Sequence, residues 1–204
     1  MTRSIGTVAG ATIALAAMLL IASPGCSTAP KTEAKQQTLM DHAQATVDRF
    51  KREDPGMTDL LNRSYGYVVF PNVGKGGVGL GGAYGKGVVY EHGNMVGYAD
   101  LTQATIGFQL GGQTFAELIA FENHDAMNRF KNNQMEFAAN ASAVAVKSGA
   151  AAQTNYLNGT AVFTEPNEGL MFEAAIGGQK FTYSPRDAVS GATTRPAASA
   201  TTMP

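Results

Sequence analysis

The amino-acid sequence predicts an α+β domain: a mostly antiparallel, curved, glycine-rich sheet or small barrel, with an N-terminal helix and one internal helix packed on it. Three observations carry that reading. Apolar residues repeat at helical spacing between Thr38 and Lys51, and the period then changes to two at Tyr67. From Val73 to Tyr90, glycines alternate with branched and aromatic residues. Glycine weakens a strand, so a run so rich in it implies that a second backbone, a helix or a ligand comes close.

The first element is not part of that domain. Arg3 precedes the uncharged stretch Val8–Ile21, and Ala22-Ser23-Pro24-Gly25 supplies small residues before Cys26. This is the pattern of an export signal over residues 1–25. Its 14-residue apolar core is shorter than the roughly 20 residues a spanning helix needs. Cys26 and the polar residues to Gln37 read as the head of the mature chain and a tether, 26–37. The domain is expected over 38–185.

Within it, Leu39, Ala43, Val47 and Phe50 share one helical face, and Pro55-Gly56 stops that helix. Thr58 is expected to cap a short turn from Asp59 to Arg63. Tyr67–Phe70 reads as a strand ended by Pro71, and Glu91–Asn94 as the turn of a hairpin joining Gly87–Tyr90 to Met95–Tyr98. Ala104–Leu110 and Thr114–Phe121 are the next strands, with Gly111-Gly112 between them. Asn123 is expected to cap a helix from His124 to Lys131 that buries Ala126, Met127 and Phe130. Met135–Val146 reads as a strand of small side chains. Gly159–Glu165 and Gly169–Tyr183 complete the sheet, turning at Gly177-Gly178. The Ala/Thr/Ser/Pro tail, 186–204, has little to bury and is expected to be disordered.

Two resemblances give these elements a context. A cysteine just past an export signal resembles the lipobox of bacterial lipoproteins, whose cysteine carries a diacylglycerol on sulfur and a third acyl chain on its amine. Three such chains imply essentially permanent anchoring, at about 0.8 kcal/mol per buried methylene. The alternative is a soluble periplasmic protein with a lone thiol, which an oxidising compartment makes a liability. Ser27 is not the Asp that retains lipoproteins at the inner membrane, so the resemblance implies the outer membrane, with the domain facing the periplasm.

The run Tyr65–Tyr90 (YGYVVFPNVGKGGVGLGGAYGKGVVY) resembles the opening of a SYLF domain. The likeness continues in order through Ala104–Gly112 (ATIGFQLGG), through Asn123 with Ala126 and Phe130, and through Gly169–Gly178 (GLMFEAAIGG). It implies a non-enzymatic, lipid-binding domain whose lipid-contacting basic positions lie in the N-terminal helix. Phospholipid is then the expected partner, and a second envelope protein the alternative one.

The candidate site follows. Cys26 is the expected lipid anchor, and Lys35, Arg49, Lys51, Arg52, Lys75 and Lys86 are the candidate lipid-binding residues, with Lys31 nearby. Near a charged bilayer each cation is worth about 1 kcal/mol. Against this, Asp48, Glu53 and Asp54 flank the Arg49–Arg52 cluster, which also suits a solvated helix end. Lys75 and Lys86 are read as lying in glycine-rich turns.

Other chemistry finds little support. Without the signal, 14 basic side chains stand against 16 acidic ones, a formal charge of −2, so no global field favours nucleic acid. Gly77, Gly79 and Gly82 spell G-x-G-x-x-G, but a strand rather than a helix is expected after them, so nucleotide is not an expected ligand. His42, His92 and His124 share no metal-ligand spacing, and neither metal, cofactor nor catalytic group is expected. Glu117 is the one carboxylate placed in an apolar strand.

Overall fold

The computed structural model describes residues 29–107, 112–137, 143–168 and 176–187. The signal, Cys26, Gly111, the strand expected at 169–175 and the tail beyond 187 lie outside the described residues.

Helix α1 (Glu33–Glu53) begins five residues ahead of the predicted Thr38, because Thr32 caps it: its side chain accepts from the Lys35 N–H at 3.4 Å. Much of the expected tether is therefore helix, and Ala29 ahead of it is buried. Ala43, Val47 and Phe50 are buried as the helical face predicts, with Leu39 half-buried beside them. Helix α2 (Gly56–Arg63) starts earlier than expected. Pro55 occupies its cap position, so Thr58 lies inside the helix and does not cap it.

Strand β1 (Gly66–Glu91) is one 26-residue element, where a strand ended by Pro71 was expected. Pairing is irregular between Phe70 and Val73, which lets Pro71 sit in the strand despite its missing N–H. Residues 66–76 pair with one neighbour and 79–91 with another. The two parts also lie against each other. His92 N–H donates to Tyr65 O at 3.0 Å, the Tyr67 and Tyr90 rings stack at 4.9 Å, and a Cβ on Gly87 would meet Val69 O at 2.8 Å. So β1 doubles back on itself, and glycine is what permits the close approach.

Strand β2 (Asn94–Gly107) returns antiparallel from the hairpin. Both central turn residues, His92 (φ 49°) and Gly93 (φ 78°), are left-handed, the geometry whose twist suits a two-residue hairpin. The separate strand predicted from Ala104 is the end of β2. Strand β3 (Gly112–Phe121) leads to helix α3 (His124–Lys131), capped by Asn123 and burying Ala126, Met127 and Phe130 as predicted.

Of the strand expected over Met135–Val146, residues 138–142 lie outside the described residues. The described part holds an isolated bridge at Glu136 and the short β4 (Val144–Ala145), ahead of the single turn α4 (Ala150–Gln153). Strands β5 (Thr160–Glu168) and β6 (Gln179–Pro185) complete a six-element sheet in the order β4-β5-β3-β1-β2-β6, antiparallel except for β4 on β5.

The sheet buries both faces. On one, α1, α2 and α4 cover Val69, Val88, Leu118 and Phe163. On the other, α3 covers Phe70, Leu101, Ile119 and Phe181. That second face is concave. Gln179 on β6 reaches Glu117 on β3 at 2.9 Å, although both parts of β1 and all of β2 intervene. A flat sheet would hold those strands about 19 Å apart, at ~4.8 Å per step. The sheet is thus strongly curled. The N-terminal helix packs on its outer surface rather than closing the interior, and α3 fills that place.

Candidate functional site

The entry to α1 forms one wall of a cleft. Ala29 and Pro30 are buried, Gln36 Nε2 donates to Pro30 O at 3.0 Å, and Tyr98 O–H donates to Gln36 Oε1 at 3.4 Å. The segment after the expected anchor is therefore tied to the body. Lys35, Thr38, Leu39 and His42 follow at i, i+3, i+4 and i+7, so one face of α1 presents them together. Strand β1 supplies the other wall with Tyr84 and Lys86. Together with Lys31 these residues enclose about 550 Å³.

The cleft has an apolar floor and a cationic rim. Tyr84 is half exposed, unusual for a large ring among buried neighbours. Lys86 Nζ lies 2.9 Å from Asp100 Oδ1 and 5.8 Å from the centre of the Tyr84 ring. Burial pulls the Lys86 ammonium down, but Asp100 and the Tyr84 hydroxyl outweigh it and hold the group above the ordinary lysine value. Burial also lifts Asp100 above the usual carboxylate range, against the attraction of Lys86. Lys31 and Lys35 are exposed at the rim. The surface thus sets the cations of Lys31, Lys35 and Lys86 beside the apolar side chains of Ala29, Leu39 and Tyr84.

Of the predicted site residues, only Lys35 and Lys86 come together here. Cys26 lies outside the described residues, three positions before Ala29. Arg49 is engaged elsewhere: its Nε lies 2.7 Å from Glu165 Oε2, and its Nη2 donates to Asn167 Oδ1 at 2.7 Å, which fastens α1 to β5. Lys51 and Arg52 stand in the last turn of α1, roughly 24 Å along the helix from Lys35. Lys75 and Lys86 are not in turns, as expected, but within β1; Lys75 is nearly buried on the concave face. Tyr84 and His42 were not singled out as site residues, and Leu39 was read only as part of the apolar face of the helix. The exposed tyrosine inside a glycine run was their available signal.

Two other constellations lie apart from the cleft. Glu117 is fully buried, and burial pushes its carboxyl up to about 8, against the pull of Gln179 and Lys75. A wider groove, about 860 Å³, runs between β5 and residues 134–137. It carries both signs of charge, Asp125 and Glu136 with Arg129, and the Arg129 Nη2 donates to Asn158 O at 2.7 Å. It therefore lacks the single-sign rim of the smaller cleft.

Gly77–Gly82 lies inside β1, and the chain continues as strand to Glu91, so no helix N-terminus follows the G-x-G-x-x-G run. Among the described residues no group of three His, Cys, Asp or Glu could hold a metal ion, and no helix is long and apolar enough to cross a membrane.

No family model matches the chain. It is similar to beta cell expansion factor A of Aeromonas veronii, at 27% identity over 154 residues. The alignment takes in 74% of this chain and 59% of that protein, so the chain spans a little over half the length of the relative it matches.

Proposed function

We propose that the protein is a bacterial envelope lipoprotein, acylated at Cys26, whose SYLF-like domain binds anionic phospholipid in the cleft between α1 and β1 and performs no catalysis. The observation that carries this reading is the position of the cleft. Ala29 lines it, and an extended chain from Cys26 to Ala29 reaches no more than about 11 Å. An acyl anchor at Cys26 would hold the cationic rim of Lys31, Lys35 and Lys86 at the bilayer surface. There the attraction to acidic headgroups acts within one Debye length, about 8 Å at physiological salt.

Vesicle flotation tests the domain apart from the anchor. A chain beginning at Ser27 is expected to float with phosphatidylglycerol vesicles at low salt and to stay down with phosphatidylcholine alone. Equal behaviour with both would refute the headgroup reading. Incorporation of labelled palmitate tests the anchor: it is expected in the full chain and absent from Cys26→Ser.

A further inference from the structure

We propose that Glu117 and Gln179 form a proton-operated latch: protonated, Glu117 holds β6 over β3 and the curled sheet stays shut, whereas loss of the proton releases β6 and admits water to the concave face. The geometry carries this. The contact joins strands that are four steps apart in the sheet, so it opposes uncurling directly.

The hydrogen-bonding groups around it also favour a protonated acid. Glu117 Oε1 and Gln179 Oε1 are buried acceptors without a hydrogen-bond partner, and the equally unpartnered Thr164 hydroxyl beside them can accept as well as donate. Thr164 is the cross-strand neighbour of Glu117. A carboxyl O–H supplies a donor to this acceptor-rich group, while a carboxylate adds a charge and removes the donor. The charged group that bears on Glu117 is Lys75 from β1, and its attraction works toward ionisation, as does the Gln179 N–H from β6. Strand β5 offers Thr164, β2 offers Gln103 and α3 meets this face with Ala126, Met127 and Phe130, none of which titrates. Burial outweighs both attractions.

Strand β6 is the wall that gives way. Among the described residues it pairs along β2 on one side and is otherwise held by the bridge to Glu136, by Phe137 and by Asn133 Oδ1, which accepts from Tyr183 N–H at 2.7 Å, whereas β3 is held between β1 and β5. Its release would uncover Phe181 and Ile176.

Amide hydrogen exchange on the full chain, corrected for intrinsic rates, tests the latch. Opening of residues 179–182 is expected to rise about tenfold per pH unit from about pH 5 to 8 and then level off. Glu117→Gln, a neutral acceptor and donor of the same shape, is expected to abolish that dependence. Gln179→Leu is expected to raise β6 opening at every pH. If Glu117→Gln does not fold, carboxyl carbon NMR of the unaltered chain decides: a Glu117 midpoint near 8, shared by the β6 amide shifts, supports the latch. Protection of β6 that ignores pH, a dependence that survives in Glu117→Gln, or an ordinary Glu117 midpoint overturns it.

Discussion

The carboxylate of Asp54 accepts a hydrogen bond from the backbone N–H of Ala151 at 2.6 Å, across 97 residues of chain. The same carboxylate accepts from Gly149 N–H at 3.2 Å and Gly56 N–H at 3.0 Å. Asp54 thus closes the end of α1 with its backbone N–H, which donates to Phe50 O at 2.9 Å, while its buried carboxylate caps the starts of α2 and α4. Asp54→Ala leaves three donors unsatisfied at a site that is 1% exposed. It is expected to lower stability by about 3 kcal/mol, read from urea unfolding midpoints. Asp54→Asn keeps one acceptor oxygen and should lose less.

The doubling of β1 predicts a contrast between two glycines. A Cβ on Gly87 would lie 2.7 Å from the Phe70 ring and 2.8 Å from Val69 O, and the carbonyl cannot move without breaking the contact between the two parts of the strand. Gly87→Ala is expected to destabilise by about 2 kcal/mol, the usual scale of overpacking. A Cβ on Gly74 meets nothing within 4 Å. Gly74→Ala should change stability by no more than about 0.5 kcal/mol. Thermal unfolding of the pair separates them; equal shifts would contradict the doubled strand.

Two carboxylates give opposite pH signatures. Glu91 is held below the ordinary value: burial raises it, but the Lys131 ammonium and the Tyr65 hydroxyl outweigh that. Its folded form binds fewer protons than the unfolded one, so its contribution is present above the unfolded value of 4.5 and fades as pH falls through the folded one. Glu117, raised to about 8, does the reverse. Its folded form keeps a proton that the unfolded chain has lost, so stability falls as pH rises from 4.5 to 8. Urea unfolding at pH 5 and pH 8 should therefore show Glu117→Gln gaining on the unaltered chain at the higher pH. Glu91→Gln should show nearly the same deficit at both, and recover it only as pH falls below 4.5.

What was legible in the sequence was local. Helix α3 followed from Asn123 and the Ala126, Met127, Phe130 spacing, because a cap and one apolar face are set within eight residues. The Glu91–Asn94 turn followed from His92-Gly93 for the same reason. Partner choice was not legible. Residues 135–146 alternate like a strand, yet Phe137 N–H donates to Gln179 O beside β6, while Val144 pairs with Phe163 in β5. Within the stretch read as one strand, the chain changes neighbours. The candidate lysines failed similarly: the partner that occupies Arg49 is 116 residues away at Glu165, and Lys35 meets Lys86 only because α1 packs on β1.

The cleft makes the last prediction. Lys31 and Lys35 are exposed, so reversing them disturbs no buried pair, whereas Lys86→Ala would leave Asp100 without its ammonium. Lys31→Glu with Lys35→Glu changes four units of charge at the rim. At about 1 kcal/mol per cation removed, and with added repulsion, partitioning onto anionic vesicles should fall at least 30-fold while the unfolding midpoint stays within error. Raising salt should weaken the unaltered chain more than the variant, because screening acts on the attraction that the variant has already lost. Reversal of Lys51 and Arg52, at the far end of α1, is the matched control. It adds the same charge but leaves the cleft intact, so a comparable loss from it would mean that net charge, not the cleft, governs the membrane contact.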